Sequence, residues 1–222
     1  CEHFLTKGNY FIKFVVERLI DSLNIQFVKV EPINVLKSVR IIDYHNTGNT
    51  LLLVNNGVSG FGEMNNIAHE NQILFIPAKV DSHYLGTNEV ITLNQKTFIN
   101  EKSKHLTNTQ HKEVISSNRY LYLAFKAKVF DLIDFFSSSD LPPFVMPDNP
   151  KIKLILGEIY DTSARTPLGC ARLIQLLMGQ LVIEMIRHDL FLKDLETKAA
   201  YLKDAKLISI FKYIKENLGS DL

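Results

Sequence analysis

The period of the apolar positions changes along the chain. Over residues 9–24, Phe11, Ile12, Val15, Val16, Leu19 and Leu23 recur at helical spacing opposite Lys13, Glu17 and Asp21. This predicts a short amphipathic helix, with a strand as the open alternative because several of these residues are β-branched. From residue 25 to 127 the pattern becomes short apolar bursts, at 35–42, 50–54, 72–76, 89–93 and 120–127. Asn46-Thr47-Gly48-Asn49, Asn55-Asn56-Gly57, Met64-Asn65-Asn66 and Gly86-Thr87-Asn88 separate them. Glycine and asparagine supply the positive φ angles of tight hairpins, and turn signals every 8 to 12 residues or so favour an antiparallel sandwich or small barrel. Residues 100–118 carry few apolar positions and predict a long exposed loop.

Beyond Lys126 the helical period returns. Val129, Leu132, Ile133 and Phe136 fit successive turns until Asp140-Leu141-Pro142-Pro143 interrupts them. Residues 149–160 space Ile152, Ile155, Leu156 and Ile159 on one face behind Pro150. Thr166-Pro167 then predicts the cap and first position of a long helix reaching about Leu192. In that helix apolar residues from Leu173 to Ile186 point in nearly every direction. Either it is a central core helix, or it packs on its own domain by one face and on a second subunit by the other. Gly179 in its middle suits a close backbone approach. Residues 204–218 predict a last amphipathic helix, with Leu207, Ile208, Phe211, Ile214 and Leu218 on one stripe and Gly219 as its cap.

Composition narrows the class. The 222 residues are 46% hydrophobic and 22% charged, with 25 basic against 24 acidic side chains. That suits a globular domain and gives no overall field to draw in a phosphate backbone. Cys1 and Cys170 lie far apart in the chain, so no disulfide framework is expected. The apolar run 173–183 contains two glutamines and falls well short of the roughly 20 residues that span a bilayer. The expected setting is the cytoplasm.

Candidate chemistry is sparse. His3, His45, His69, His83, His105, His111 and His188 include no pair at metal-ligand spacing, so solvated loop histidines are expected and no metal or cofactor is. Gly57-Val58-Ser59-Gly60-Phe61-Gly62 has the wrong order for a phosphate loop and precedes no helix. Ser59 lacks the flanks of a nucleophile elbow. Asp161, Ser163 and Arg165 are explained by turn formation, and the lysines from Lys193 to Lys215 are interleaved with acids, as on a solvated face. No catalytic constellation emerges.

Three segments carry a family likeness. Glu70-Asn71-Gln72-Ile73-Leu74-Phe75-Ile76-Pro77 with Ser82-His83 resembles the cupin-barrel stretch of AraC-family transcription regulators, with Glu70-Asn71 where those proteins usually have Gly-Asp. The run from Pro167 to Arg187 is similar to the helix that follows their barrel and commonly pairs subunits. Residues 204–218 resemble the first helix of their DNA-binding domain. The resemblance implies an α+β fold, a small antiparallel cupin-like β-barrel followed by a helical dimerisation subdomain. It implies a barrel with an N-terminal helix over 1–127, a helical linker and dimerisation part over 128–200, and over 201–222 the start of a helix-turn-helix domain that is cut short.

It further implies a non-enzymatic, effector-sensing homodimer that touches DNA only through that absent domain. Candidate wall residues for a small organic effector are Tyr44, Leu51, Leu53, Phe75, Tyr84 and Tyr122; candidate dimer contacts are Leu173, Leu177, Gln180, Leu181 and Glu184. Two rival functions remain. A cupin metalloenzyme needs a histidine and carboxylate cluster, which the spacing lacks. A cyclic-nucleotide sensor, suggested by Phe61-Gly62-Glu63-Met64, needs an arginine shortly downstream, and none occurs between Arg40 and Arg119.

Overall fold

The structure, a computed structural model, describes residues 20–62, 66–86, 90–108, 118–129, 133–138 and 141–187. The chain divides into two units. One is Ser22–Leu181; the other combines Cys1–Asp21 with Val182–Leu222. Residues 9–19 of the expected first helix lie outside the described residues, while Leu23 and Asn24 at its end belong to a strand; the expected last helix lies entirely outside them.

The larger unit begins with strands β1 (Leu23–Val35), β2 (Val39–Asn46), β3 (Asn49–Asn56), β4 (Ser59–Phe61), β5 (Ile67–Ala68), β6 (Ile73–Ile76), β7 (Lys79–Leu85) and β8 (Ile91–Asn94). Helix α1 (Gln95–His105) follows, then β9 (Leu106–Thr107), β10 (Asn118–Val129), β11 (Ile133–Asp134), α2 (Phe135–Ser138), β12 (Phe144–Met146) and α3 (Pro150–Arg165). Helix α4 (Cys170–Ile186) crosses the boundary between the units. The strands form two sheets, one of seven in the order β12-β6-β3-β10-β1-β9 with β11 on β10, the other of five in the order β5-β4-β7-β2-β8. All pairs are antiparallel except β2 with β8. Among the described residues no ladder joins the sheets into a closed barrel.

Two faces of apolar side chains make the core. Val39, Ile41, Phe61 and Leu85 of the smaller sheet meet Ile33, Leu52, Val54, Leu74, Ile76 and Tyr120 of the larger one. Alternate residues of the larger sheet, among them Leu51, Leu53, Ile73, Phe75, Leu123 and Phe125, point the other way and are buried too. There Phe136 of α2 packs on Phe75 and Phe125, with ring centroids 4.9 and 6.0 Å away. A strand covered on both faces reads as an unbroken apolar run, which is why Thr50–Val54 stands out in the sequence.

Several expectations change. The turns at 46–49 and 55–57 do fall between strands, but each carries the chain from one sheet to the other instead of closing a hairpin. The first residues of the expected loop, 100–105, belong instead to a helix that starts at Gln95. Asn94 caps it by accepting from the Thr97 amide at 2.8 Å, and only Phe98 and His105 are buried, so no stripe shows in the sequence. The helical reading after Lys126 gives way to β10 continuing to Val129 and β11 folding back on it. In β1 the alternating Ile25 and Phe27 pair with β10 across a register shift after Phe27.

Helix α3 forms as its pattern predicts. The Asn149 side chain accepts from the Lys151 and Ile152 amides, Pro150 holds the first turn, and Ile152, Ile155, Leu156 and Ile159 are buried. Thr166 ends this helix in the left-handed region (φ 44°) instead of starting the next. The reason is local: Pro167 disfavours helical backbone in the residue before it. Helix α4 starts only after the turn at Gly169 (φ 78°).

Candidate functional site

The register of the smaller sheet brings side chains from all five of its strands into one row. Ile67 of β5 stands beside Gly60 of β4, Gly60 beside Tyr84 of β7, Tyr84 beside Arg40 of β2, and Arg40 beside Thr92 of β8. The flanking residues Phe61, His83 and Ile41 form the next row and turn into the core. With a side-chain period of two, the Arg40 row must face outward. There it lines a half-open pocket of about 460 Å³, completed by Val58, Gly62, His69, Ser82 and Val90.

Two glycines shape the floor. Gly60 leaves a gap in the row between Ile67 and Tyr84; a Cβ there would sit 3.2 Å from the Asn66 carbonyl oxygen and 3.3 Å from Ile67 Cγ1. Gly62 follows β4 at φ +74°, and its amide donates to the Ser82 carbonyl at 2.8 Å. The Ser82 hydroxyl donates to the Gly62 carbonyl at 3.2 Å, so its lone pairs face the Arg40 guanidinium, whose Nη2 lies 3.5 Å away. Arg40 has no carboxylate partner among the described residues. Burial raises the Tyr84 phenol above its ordinary pKa and keeps it a proton donor at neutral pH. The pocket thus combines one cation and the hydroxyls of Ser82, Tyr84 and Thr92 with apolar walls at Val58, Ile67 and Val90.

A second polar cluster lies between the sheets. Thr50 Oγ1 donates to Asn46 Oδ1 at 3.2 Å and lies 3.5 Å from Tyr122 Oη, and Lys29 Nζ stands 5.0 Å from the centre of the Tyr122 ring. Tyr44 joins this cluster; burial first, then Tyr122 and Glu31, push its phenol pKa up. The Tyr44 ring meets His83 edge-on at 5.1 Å, and Phe61 meets it at 5.7 Å. His83 is buried, with Nε2 3.5 Å from Ser59 Oγ, and desolvation lowers its pKa to about 4. It is therefore neutral at pH 7 and is not a solvated loop histidine; His105 is buried as well, while His69 is exposed.

The six candidate wall residues separate into three places. Tyr44 and Tyr122 meet between the sheets, Leu51, Leu53 and Phe75 lie on the opposite face of the larger sheet, and Tyr84 lines the outer pocket. Of the candidate dimer contacts, Leu177 and Leu181 are buried, Glu184 is half-buried, and Leu173 and Gln180 are exposed. Leu176, on the same exposed side, is 57% accessible. Among the described residues, nothing lies within 4 Å of a Cβ built at Gly179. Arg40, Gly60, Ser82 and Thr92 are not among the candidate wall residues, because only strand register brings them together.

Among the described residues no group of three His, Cys, Asp or Glu side chains could hold a metal ion, and no helix is long and apolar enough to cross a membrane. No protein-family model matches the chain. No curated protein matches it either. Among solved structures there is a distant likeness to the apo form of a ToxT variant from Vibrio cholerae, at 10% identity and a TM-score of 0.34. It covers 74% of this chain, which spans 55% of that one.

Proposed function

We propose that this chain is the effector-sensing and dimerisation region of an AraC-type transcription regulator. Its two-sheet unit takes a small organic molecule, and helix α4 joins two copies through the side that carries Leu173, Leu176 and Gln180. DNA contact belongs to a helix-turn-helix domain beyond residue 222, and the setting is the cytoplasm. The observation that carries the sensing role is the outer pocket, where a guanidinium and three hydroxyls converge over apolar walls in a volume typical of small-molecule sites. Support for the regulator class comes from the order of segments: a β unit, then a capped helix, then a long apolar helix. Coupling to DNA would operate through a ligand-dependent preference between arrangements of these parts, about 1 to 3 kcal/mol for a typical allosteric coupling.

Thermal unfolding in the presence of a panel of small organic acids, amides, sugars and amines tests the sensing role. A concentration-dependent rise in midpoint with at least one class is expected, because a ligand that binds only the folded state stabilises it by mass action. A flat response across the panel would refute it.

A further inference from the structure

We infer that the outer pocket takes a small monocarboxylate, with the carboxylate on Arg40 and an apolar body against Val58, Ile67 and Val90. This rests on reading the pocket as the effector site, and it adds the chemical class.

Arg40 provides the first reason. A guanidinium offers five N–H donors in a planar fork that matches a carboxylate edge. The polar contact Arg40 makes among the described residues is the long one to Ser82, and the row sets Tyr84 and Thr92 on either side of it. Neighbouring strands lie about 4.8 Å apart, and both residues line the same pocket as Arg40, so their hydroxyls are available to a carboxylate held there. They can donate to its outer lone pairs.

Charge provides the second. Arg40 is the sole Lys or Arg among the residues lining the pocket. One guanidinium balances one negative charge, whereas a phosphate dianion would keep an uncompensated charge beside Val58, Ile67 and Val90. Those apolar walls need an organic body to cover them, which acetate or a bare inorganic ion lacks. Gly60 gives that body its depth: any side chain there would narrow the space between Ile67 and Tyr84.

Calorimetric titration of the chain with benzoate, hexanoate, benzamide, hexanamide and inorganic phosphate tests the assignment. The acids should bind and the isosteric amides should bind far more weakly. Arg40→Gln should weaken benzoate by roughly tenfold or more, the worth of a charge-assisted hydrogen bond. Arg40→Lys should recover part of the loss. Because Arg40 is exposed, these variants keep the fold, and their unchanged unfolding midpoints without ligand verify it. Amides binding as well as acids, or Arg40→Gln binding benzoate undiminished, would overturn the carboxylate and leave a pocket for neutral molecules. Phosphate displacing benzoate at equal concentration would also overturn it. If none of the organic probes binds at tens of millimolar, the carboxylate assignment falls, and the pocket's role as effector site falls with it only if the thermal response to the sugars and amines is flat as well.

Discussion

His83 offers a quantitative test of the packing beneath the pocket. Its ring is enclosed by Tyr44 and Phe61 and touches Ser59, and burial alone lowers its pKa from 6.5 to about 4. The folded state therefore holds the neutral imidazole, while the unfolded chain takes up a proton near its ordinary value. Well above pH 6.5 both states are neutral and the stabilisation is complete. As pH falls from 6.5 toward 4, the unfolded chain binds a proton that the folded chain refuses, so stability declines with pH. At about 1.4 kcal/mol per pH unit the loss reaches roughly 3 kcal/mol at the lower end, and about 2 kcal/mol near pH 5. Urea unfolding of the wild type and of His83→Phe at about pH 7 and pH 5 separates this from all other titrating groups, which are common to both proteins. The wild type should lose about 2 kcal/mol more than the variant over that interval. Parallel losses would refute the reasoning.

Asn149→Ala removes the side chain that accepts from two amides at the start of α3 and should cost about 1 kcal/mol in urea unfolding; no change would show that Pro150 alone sets the helix start. Phe136→Ala should cost about 3 to 5 kcal/mol, because its ring is fully buried against Phe75, Phe125 and Phe135. Leu173→Glu combined with Leu176→Glu should halve the mass measured by sedimentation while leaving the unfolding midpoint of the monomer nearly unchanged, since both side chains are exposed. A mass unaffected by these changes would remove α4 from the subunit contact.

The sequence displayed the elements that bury a continuous or one-sided apolar pattern. Residues 50–54 and 73–76 are apolar at almost every position because the larger sheet is covered on both faces, and α3 shows a stripe because one side of it is buried. Helix α1 was hidden for the opposite reason: it buries only Phe98 and His105 and is held by the Asn94 cap. Thr166-Pro167 misled because the same pair can open a helix or close one, and only the path of the chain decides. The candidate site was the least legible part. Arg40 sits between Val39 and Ile41 in the alternation of a half-exposed strand, where a charge signals no more than solvent. Its approach to Gly60, Tyr84 and Thr92 depends on pairings with residues 20 to more than 50 positions away in sequence, which no local period reports. Tyr84 was picked out as an aromatic wall residue, but a strand's inward and outward sides exchange with a register slip of one, and the sequence does not fix that parity.

Where a ligand settles on this chain decides between the outer pocket and the space between the sheets. Mapping the backbone amide shifts of the isotopically labelled chain during titration with benzoate locates it directly. A ligand in the outer pocket gives saturable shifts concentrated at Gly60, Tyr84, Arg40 and Thr92, with Ser82 following. Shifts centred on Tyr44, Thr50 and Tyr122 would place the ligand between the sheets and contradict that placement.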